Sequence, residues 1–185
     1  MKIYFIVFVV LLSIFSTIGC TSTTNNTPTP NHTSIPSSTP TPTEIQEASD
    51  YQDKAWKNLV ESQNTLLSDD MNKVIDAQTN HNIDDLQTYS TALTTDAKTA
   101  LNESSSYSVS SSLQPAKEKY ETALFYYYQG GYFDSIGAST LKSRNTAQGN
   151  QHISLATSYL KSGIQNMNGA ASLIKKLANS TEIKL

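Results

Sequence analysis

The chain has 185 residues, a formal net charge of −3 at pH 7 and a single cysteine. Its 13 lysine and arginine residues are dispersed rather than clustered, which is atypical of nucleic-acid-binding proteins, so we expect no nucleic-acid partner. One cysteine excludes an internal disulfide and a thiolate metal cluster, so a folded domain must rely on its own apolar core.

The first twenty residues have the layout of an export signal. Lys2 precedes an apolar run over residues 3–18, and Gly19 and Cys20 follow it. A short positive segment before an apolar run is typical of a secretory signal peptide. The run has about 16–17 apolar residues, close to the roughly 17–25 that a membrane-spanning helix needs, so a short anchor is the alternative.

The end of the apolar run carries a recognisable motif. Residues 16–20 read Ser-Thr-Ile-Gly-Cys and resemble the lipobox of exported lipoproteins, although Thr17 stands where that family usually has Leu, Val or Ile. The resemblance implies that residues 1–19 are removed and that the thiol of Cys20 carries a diacylglyceryl group. Because two lipid chains anchor a protein stably, we expect a cell-membrane protein facing outside the cytoplasm.

The next segment is polar and rich in proline. Residues 21–43 consist almost entirely of Thr, Ser, Pro and Asn, and Ile35 is their only large apolar residue. We therefore expect residues 20–43 to form a disordered tether behind the lipidated cysteine. The combination resembles archaeal surface lipoproteins with Thr/Pro stalks. Four Asn-x-Ser/Thr sequons are candidate glycosylation sites: Asn25, Asn31, Asn102 and Asn179.

Residues 44–185 are predicted to form an all-α, antiparallel up-down four-helix bundle. No glycine or proline occurs between residues 44 and 112, which argues against a sheet with tight turns. The first helix is predicted to start at a capping box over residues 43–46 and to end near Thr79, with Asp69 and Asp70 offering a break and a fresh N-cap. Its apolar stripe includes Trp56, Leu66 and Ile75.

The second helix is predicted to begin after Asn82, an N-cap residue. Asp84 and Asp85 then fall in the first turn, where the helix dipole favours negative charge. The serine-rich residues 104–112 indicate its end. Pro115 suits the first turn of the third helix.

The third helix contains an aromatic segment followed by Gly130-Gly131, which predicts a kink or a turn between two helices. Residues 126–132 resemble the mid-repeat turn of a tetratricopeptide repeat, which implies a peptide-binding helix hairpin. The same tyrosines are a candidate platform for a sugar, a peptide or an apolar ligand, with core packing as the alternative. The platform residues are Tyr120, Tyr126, Tyr127, Tyr128 and Tyr132.

The fourth helix shows the clearest periodicity. Ile153, Leu160, Met167 and Ile174 recur every seven residues, beside a second row formed by Ala156, Gly163, Ala170 and Leu177. Such spacing predicts an a/d seam whose small residues allow close helix approach. Thr146 or Asn150 is the expected cap, and Lys175, Lys176 and Lys184 suit the C-terminal end.

No motif indicates catalysis, a metal site or a cofactor, and we expect a protein that is not an enzyme. The sequence predicts a lipid-anchored binding or structural module at the cell surface, with an unidentified protein or small-molecule partner. The alternatives are a ligand-sensing bundle that works through a membrane partner and a tetratricopeptide-like peptide-binding hairpin.

Overall fold

The computed structural model describes residues 42–182, without the side chains of residues 42, 44, 45, 48, 181 and 182. The predicted signal peptide, Cys20, the tether, Asn25, Asn31 and Lys184 lie outside the described residues. The described residues 42–182 belong to one compact unit. Its helices are α1 (Pro42–Thr79), α2 (Ile83–Ser105), α3 (Gln114–Lys142) and α4 (Thr146–Glu182).

The described part of the chain is an all-α four-helix bundle, as predicted. Three-residue turns join α1 to α2 and α3 to α4, and the longer residues 106–113 join α2 to α3. Connections this short make sequential helices antiparallel neighbours. The bundle therefore has one end with the two three-residue turns, here called the turn end, and an opposite end where α1 begins.

Of the caps predicted for α1, α2 and α4, the cap of α2 forms in the structure. The Asn82 side chain accepts a hydrogen bond from the Asp85 backbone N–H at 3.2 Å, so the predicted N-cap of α2 is confirmed. The predicted caps of α1 and α4 are wrong. Helix α1 begins at Pro42, which places Thr43 inside the first turn. Asn145 caps α4 by accepting from the Gln148 backbone N–H at 3.3 Å.

Helix α1 runs without interruption through Asp69 and Asp70, so no fresh N-cap forms there. Asp70 is only 5% exposed, because it faces α2 rather than capping a helix. The predicted apolar stripe is also narrower than expected. Leu67 is buried, whereas Leu66 and Ile75 are exposed, since adjacent helical positions point about 100° apart.

Helix α3 is likewise continuous, so Gly130-Gly131 do not separate two helices. The turn implied by the tetratricopeptide resemblance is therefore not formed. Gly130 instead permits the close approach of α4, and Gly131 permits the close approach of α2. A Cβ atom on Gly130 would lie 2.3 Å from Leu160 Cδ2 of α4, and one on Gly131 would lie 2.7 Å from the backbone oxygen of Ser90 in α2.

The core occupies the bundle axis and has an aromatic centre. The Trp56 and Tyr120 rings meet edge to face, with centroids 6.0 Å apart and planes at 87°. The largest fully buried apolar residues around them come from the first three helices and from the end of the connection between α2 and α3: Leu67, Val74, Leu86, Leu93, Leu113 and Leu124. Helix α4 adds Ala156, Leu160 and Ala170, so its predicted a/d seam faces the core as expected.

The helices are not equally spaced around this core. Small residues bring α3 and α4 together, and a Cβ atom on Gly163 would lie 2.5 Å from the Tyr127 ring. By contrast, no Cα atom of α1 lies within 8 Å of one in α4 among the described residues. The backbones of α3 and α4 thus approach closely, whereas those of α1 and α4 stay farther apart along the line between them, here called the α1–α4 seam.

Candidate functional site

Seven rings of α3 and α4 form one continuous array, here called the aromatic face. Its members are Phe125, Tyr126, Tyr128, Tyr132, Phe133, His152 and Tyr159. The Phe133 ring lies at the centre, stacked on Tyr159 at 5.6 Å and on His152 at 6.1 Å. Neighbouring centroids throughout are close enough for favourable aromatic contact. The array therefore behaves as one surface rather than as scattered rings.

Helical spacing explains how the sequence produces this face. Tyr126 and Phe133 are seven residues apart on α3, and His152 and Tyr159 are seven residues apart on α4. Seven residues are close to two helical turns, so each pair lies on one side of its helix. The α3–α4 contact then brings the two pairs together, and Tyr126 lies 6.1 Å from Tyr159 between ring centroids.

The structure divides the five residues of the predicted platform between the surface and the core. Tyr126, Tyr128 and Tyr132 belong to the aromatic face, but Tyr120 and Tyr127 are core residues with almost no exposed surface. Consecutive helical residues cannot all point outward, and burial raises the pKa of the Tyr127 hydroxyl to about 12. Sequence reasoning missed four members of the face: Phe125, Phe133, His152 and Tyr159. The seven-residue spacing in both helices was the signal that could have identified them.

Parts of the aromatic face are open to solvent. Phe125 is 46% exposed and Tyr132 is 47% exposed, while the central Phe133 and Tyr159 are half-buried. Leu155, which is also exposed, lies on the same helix between His152 and Tyr159. Clustered exposed apolar surface of this kind marks interaction sites more often than scattered single residues do.

The helices that carry the face have almost no charge along it. Asp134 is the only Asp, Glu, Lys or Arg between residues 122 and 141, and none occurs between residues 146 and 160. Asp134 itself is fully buried, so the two segments expose no carboxylate, ammonium or guanidinium group. Serine, threonine, asparagine and glutamine supply the surrounding polar groups. Such a surface suits a neutral ligand that stacks on rings and exchanges hydrogen bonds with hydroxyl and amide groups.

Asp134 lies on the inner side of α3, where it contacts α1. The Gln78 amide Nε2 donates to both of its carboxylate oxygens, at 2.8 and 2.9 Å. Burial raises the pKa of Asp134 to about 7, and the Gln78 hydrogen bond only partly offsets this effect. A carboxyl group with these properties is close to half-ionised at neutral pH.

A second buried carboxyl group lies between α1 and α2. Burial and the neighbouring Asp96 raise the pKa of Asp70 to about 6, and the Asp70 Oδ2 atom has no hydrogen-bond partner. Lys73, on the next turn of α1, pairs with Asp69 at 2.5 Å instead. Asp70 and Asp96 lie on the opposite side of the bundle from the α3–α4 interface and do not contribute to the aromatic face.

A polar network crosses the bundle at the end where α1 begins. The Trp56 indole donates to Ser104 Oγ at 3.0 Å, Ser104 donates to Glu121 at 3.0 Å, and Lys117 pairs with Glu121 at 2.6 Å. Ser104 is also the hydroxyl residue of the Asn102 sequon, and it is buried although Asn102 itself is exposed. Asn179 is exposed near the end of α4.

Within residues 42–182, no group of three or more His, Cys, Asp or Glu side chains is arranged to hold a metal ion. In the same part of the chain, no helix combines the length and apolar character needed to cross a membrane. Comparison with protein-family models, curated proteins and solved structures found no match for this chain.

Proposed function

We propose that this protein is an exported, lipid-anchored protein of the cell surface and that its helical bundle is a non-enzymatic binding module. The aromatic face is its binding surface. The observation that carries the proposal is the continuity of seven rings on a surface formed by two helical segments, residues 122–141 and 146–160, that expose no carboxylate, ammonium or guanidinium group.

The ligand expected for this surface is neutral. An anionic ligand would lose its hydration on the rings, and no charged ligand would gain an ion pair from the adjacent segments of α3 and α4. A neutral ligand gains stacking on the exposed faces of Phe125 and Tyr132, and the tyrosine hydroxyls offer hydrogen bonds at the edges. The aromatic side chains lose little conformational entropy on binding because their contacts with one another already restrain them.

The sequence supports the cellular context of this proposal. An apolar run that ends at Cys20 and a proline-rich segment before the bundle are typical of surface lipoproteins. On this basis, Cys20→Ser should release the protein from the membrane or leave an uncleaved precursor. Mass spectrometry and detergent phase partitioning test this, and an unchanged mass with unchanged partitioning would contradict the lipid anchor.

The binding proposal is tested by pull-down from cell envelopes with matched variants. Phe125→Ala and Tyr132→Ala each remove an exposed ring from the aromatic face, whereas Tyr51→Ala removes a ring that is 72% exposed on α1, outside the face. We expect a ligand retained by the wild type and by Tyr51→Ala to be lost or weakened about tenfold by either face variant, the scale typical of a binding hot spot. Equal retention by all three variants would contradict the assignment.

A further inference from the structure

A cavity of about 190 Å³ lies at the turn end of the bundle, away from the aromatic face. All four helices or their ends contribute to it. Its apolar wall is formed by Ala77, Ile83, Leu86, Leu141 and Ile153. Its polar lining residues are Gln78, His81 and Asn150, and none of the lining residues is Asp, Glu, Lys or Arg. An engineered, enclosed cavity of roughly 150 Å³ lined by leucine, isoleucine and phenylalanine holds a benzene molecule, so this cavity, which is open on one side, has the volume for a small organic molecule.

The packing of α3 against α4 explains why the space is not filled. A Cβ atom on Gly149 would lie 2.7 Å from the Leu141 side chain, and one on Gly137 would lie 2.8 Å from Ile153 Cγ1. Leu141 and Ile153 are thus each packed onto a glycine of the other helix. Because the backbone of α1 does not come within 8 Å of α4 between Cα atoms, space remains between these two side chains and α1.

One polar group in the cavity wall, the amide of Gln78, has a fixed orientation and can accept a hydrogen bond. Gln78 lines the cavity, and its Nε2 atom is held by both carboxylate oxygens of Asp134. The amide oxygen of a side chain points away from the direction of its nitrogen, so this contact orients Gln78 Oε1 away from Asp134. Among the described residues, no donor bonds to Gln78 Oε1. Asn150, at the exposed side of the cavity, adds a second amide.

We propose that this cavity binds a small neutral molecule with an apolar body and one O–H or N–H group, which donates to Gln78 Oε1. The aliphatic wall accommodates the apolar body. The fixed carbonyl selects for a donor, because a ligand without one leaves the carbonyl unpaired when it displaces water. This site is independent of the binding proposed for the aromatic face.

Benzyl alcohol and toluene form a matched pair of probes, because they differ in one hydroxyl group. Residues 40–185, the compact unit, are titrated with each while the methyl resonances of isoleucine and leucine are followed by NMR. We expect saturable shifts at Ile83, Leu141 and Ile153 but not at Ile174, which lies elsewhere on the α1–α4 seam. Benzyl alcohol should bind about fivefold more tightly than toluene, the effect of one net hydrogen bond.

Two types of variant test the apolar wall and the Gln78 carbonyl separately. Ala77→Leu fills the cavity and should weaken both probes at least tenfold. Asn150→Leu obstructs the exposed side with little effect on the core, and it serves the same purpose if Ala77→Leu does not fold. Gln78→Met, measured at pH 5 where Asp134 is protonated, should reduce benzyl alcohol to the affinity of toluene and leave toluene unchanged.

Three results would overturn the proposal. The first is a set of shifts that do not saturate or that extend equally to Ile174. The second is binding that survives both cavity-filling variants. The third is equal affinity of the wild-type protein for benzyl alcohol and toluene, which would show that Gln78 has no role in selecting the ligand.

Discussion

The α3–α4 interface and the α1–α4 seam join helices of the same bundle, but they are built from different residues. At the α3–α4 interface, Gly163 admits the Tyr127 ring and Gly130 admits Leu160. Along the seam, Asn64 and Met71 of α1 and Met167 of α4 line one cavity. Glycine on one side of an interface lets the facing side chain approach the backbone, whereas long or amide side chains on both sides keep the helices apart.

The difference has a functional consequence. The tight interface holds the rings of α3 and α4 in fixed relation, which produces the aromatic face. The seam leaves cavities, including the one beside Gln78. We therefore expect substitutions in the interface to cost stability and substitutions in the seam to cost little or to stabilise.

The largest effect is expected at Asp134, where the inner side of α3 contacts α1. Its pKa is raised from 3.8 to about 7 in the folded protein, so the unfolded chain releases this proton more readily. The proton on Asp134 therefore contributes its full stabilisation of the folded state below about pH 4. This stabilisation falls as the pH rises towards 7 and is absent above that. Asp134→Asn keeps an acceptor for Gln78 without the charge, so it should stabilise the domain by about 3 kcal/mol at pH 8.

Urea unfolding of the wild type and Asp134→Asn at pH 4 and pH 8 tests this expectation. The variant should match the wild type at pH 4 and exceed it at pH 8. The free energy of unfolding should also fall with pH, by a smaller amount, because the pKa of Asp70 is raised as well. This smaller pH dependence should persist in the variant. An equal pH dependence in both proteins would show that Asp134 is not a buried titrating group.

The next largest effect concerns two glycines of α4 that differ only in what they face. A Cβ atom on Gly163 would meet the buried Tyr127 ring at 2.5 Å, so Gly163→Ala should destabilise by about 2 kcal/mol through overpacking. A Cβ atom on Gly169 would meet only the flexible Lys119 side chain at 3.0 Å. Gly169→Ala should therefore stabilise by up to about 1 kcal/mol through helix propensity.

Thermal unfolding followed by circular dichroism compares the two alanine variants directly. Opposite signs of the change in melting temperature support close packing at Gly163. If both variants gain stability, the α3–α4 interface has room for a methyl group and is not the tight contact described above.

The sequence predicted the positions of the helices along the chain far better than the distances between the packed helices. Periodicity, Asn82 and Pro115 located the helices because they act within a few residues of chain. Gly130 and Gly131 predict a kink or a turn from the sequence, whereas their role in the continuous helix depends on Leu160 and Ser90, which are distant in sequence. The membership of the aromatic face depends on distant residues for the same reason. The tyrosines are visible as a cluster in α3, whereas Tyr159 joins them only through the packing of α4.

The smallest effect is expected in the α1–α4 seam, at Asn64. Its Oδ1 atom is buried without a hydrogen-bond partner, which costs folding free energy. Asn64→Leu removes this acceptor and adds apolar volume to the seam, so it should stabilise by about 1 kcal/mol. Asn168→Leu is the matched control on α4, because Asn168 lines the same space but is exposed, and it should change stability by less than about 0.5 kcal/mol. Urea unfolding measures both. A loss of stability in Asn64→Leu would mean that the amide has a partner in solution, and the seam would then be closed by polar contacts rather than open.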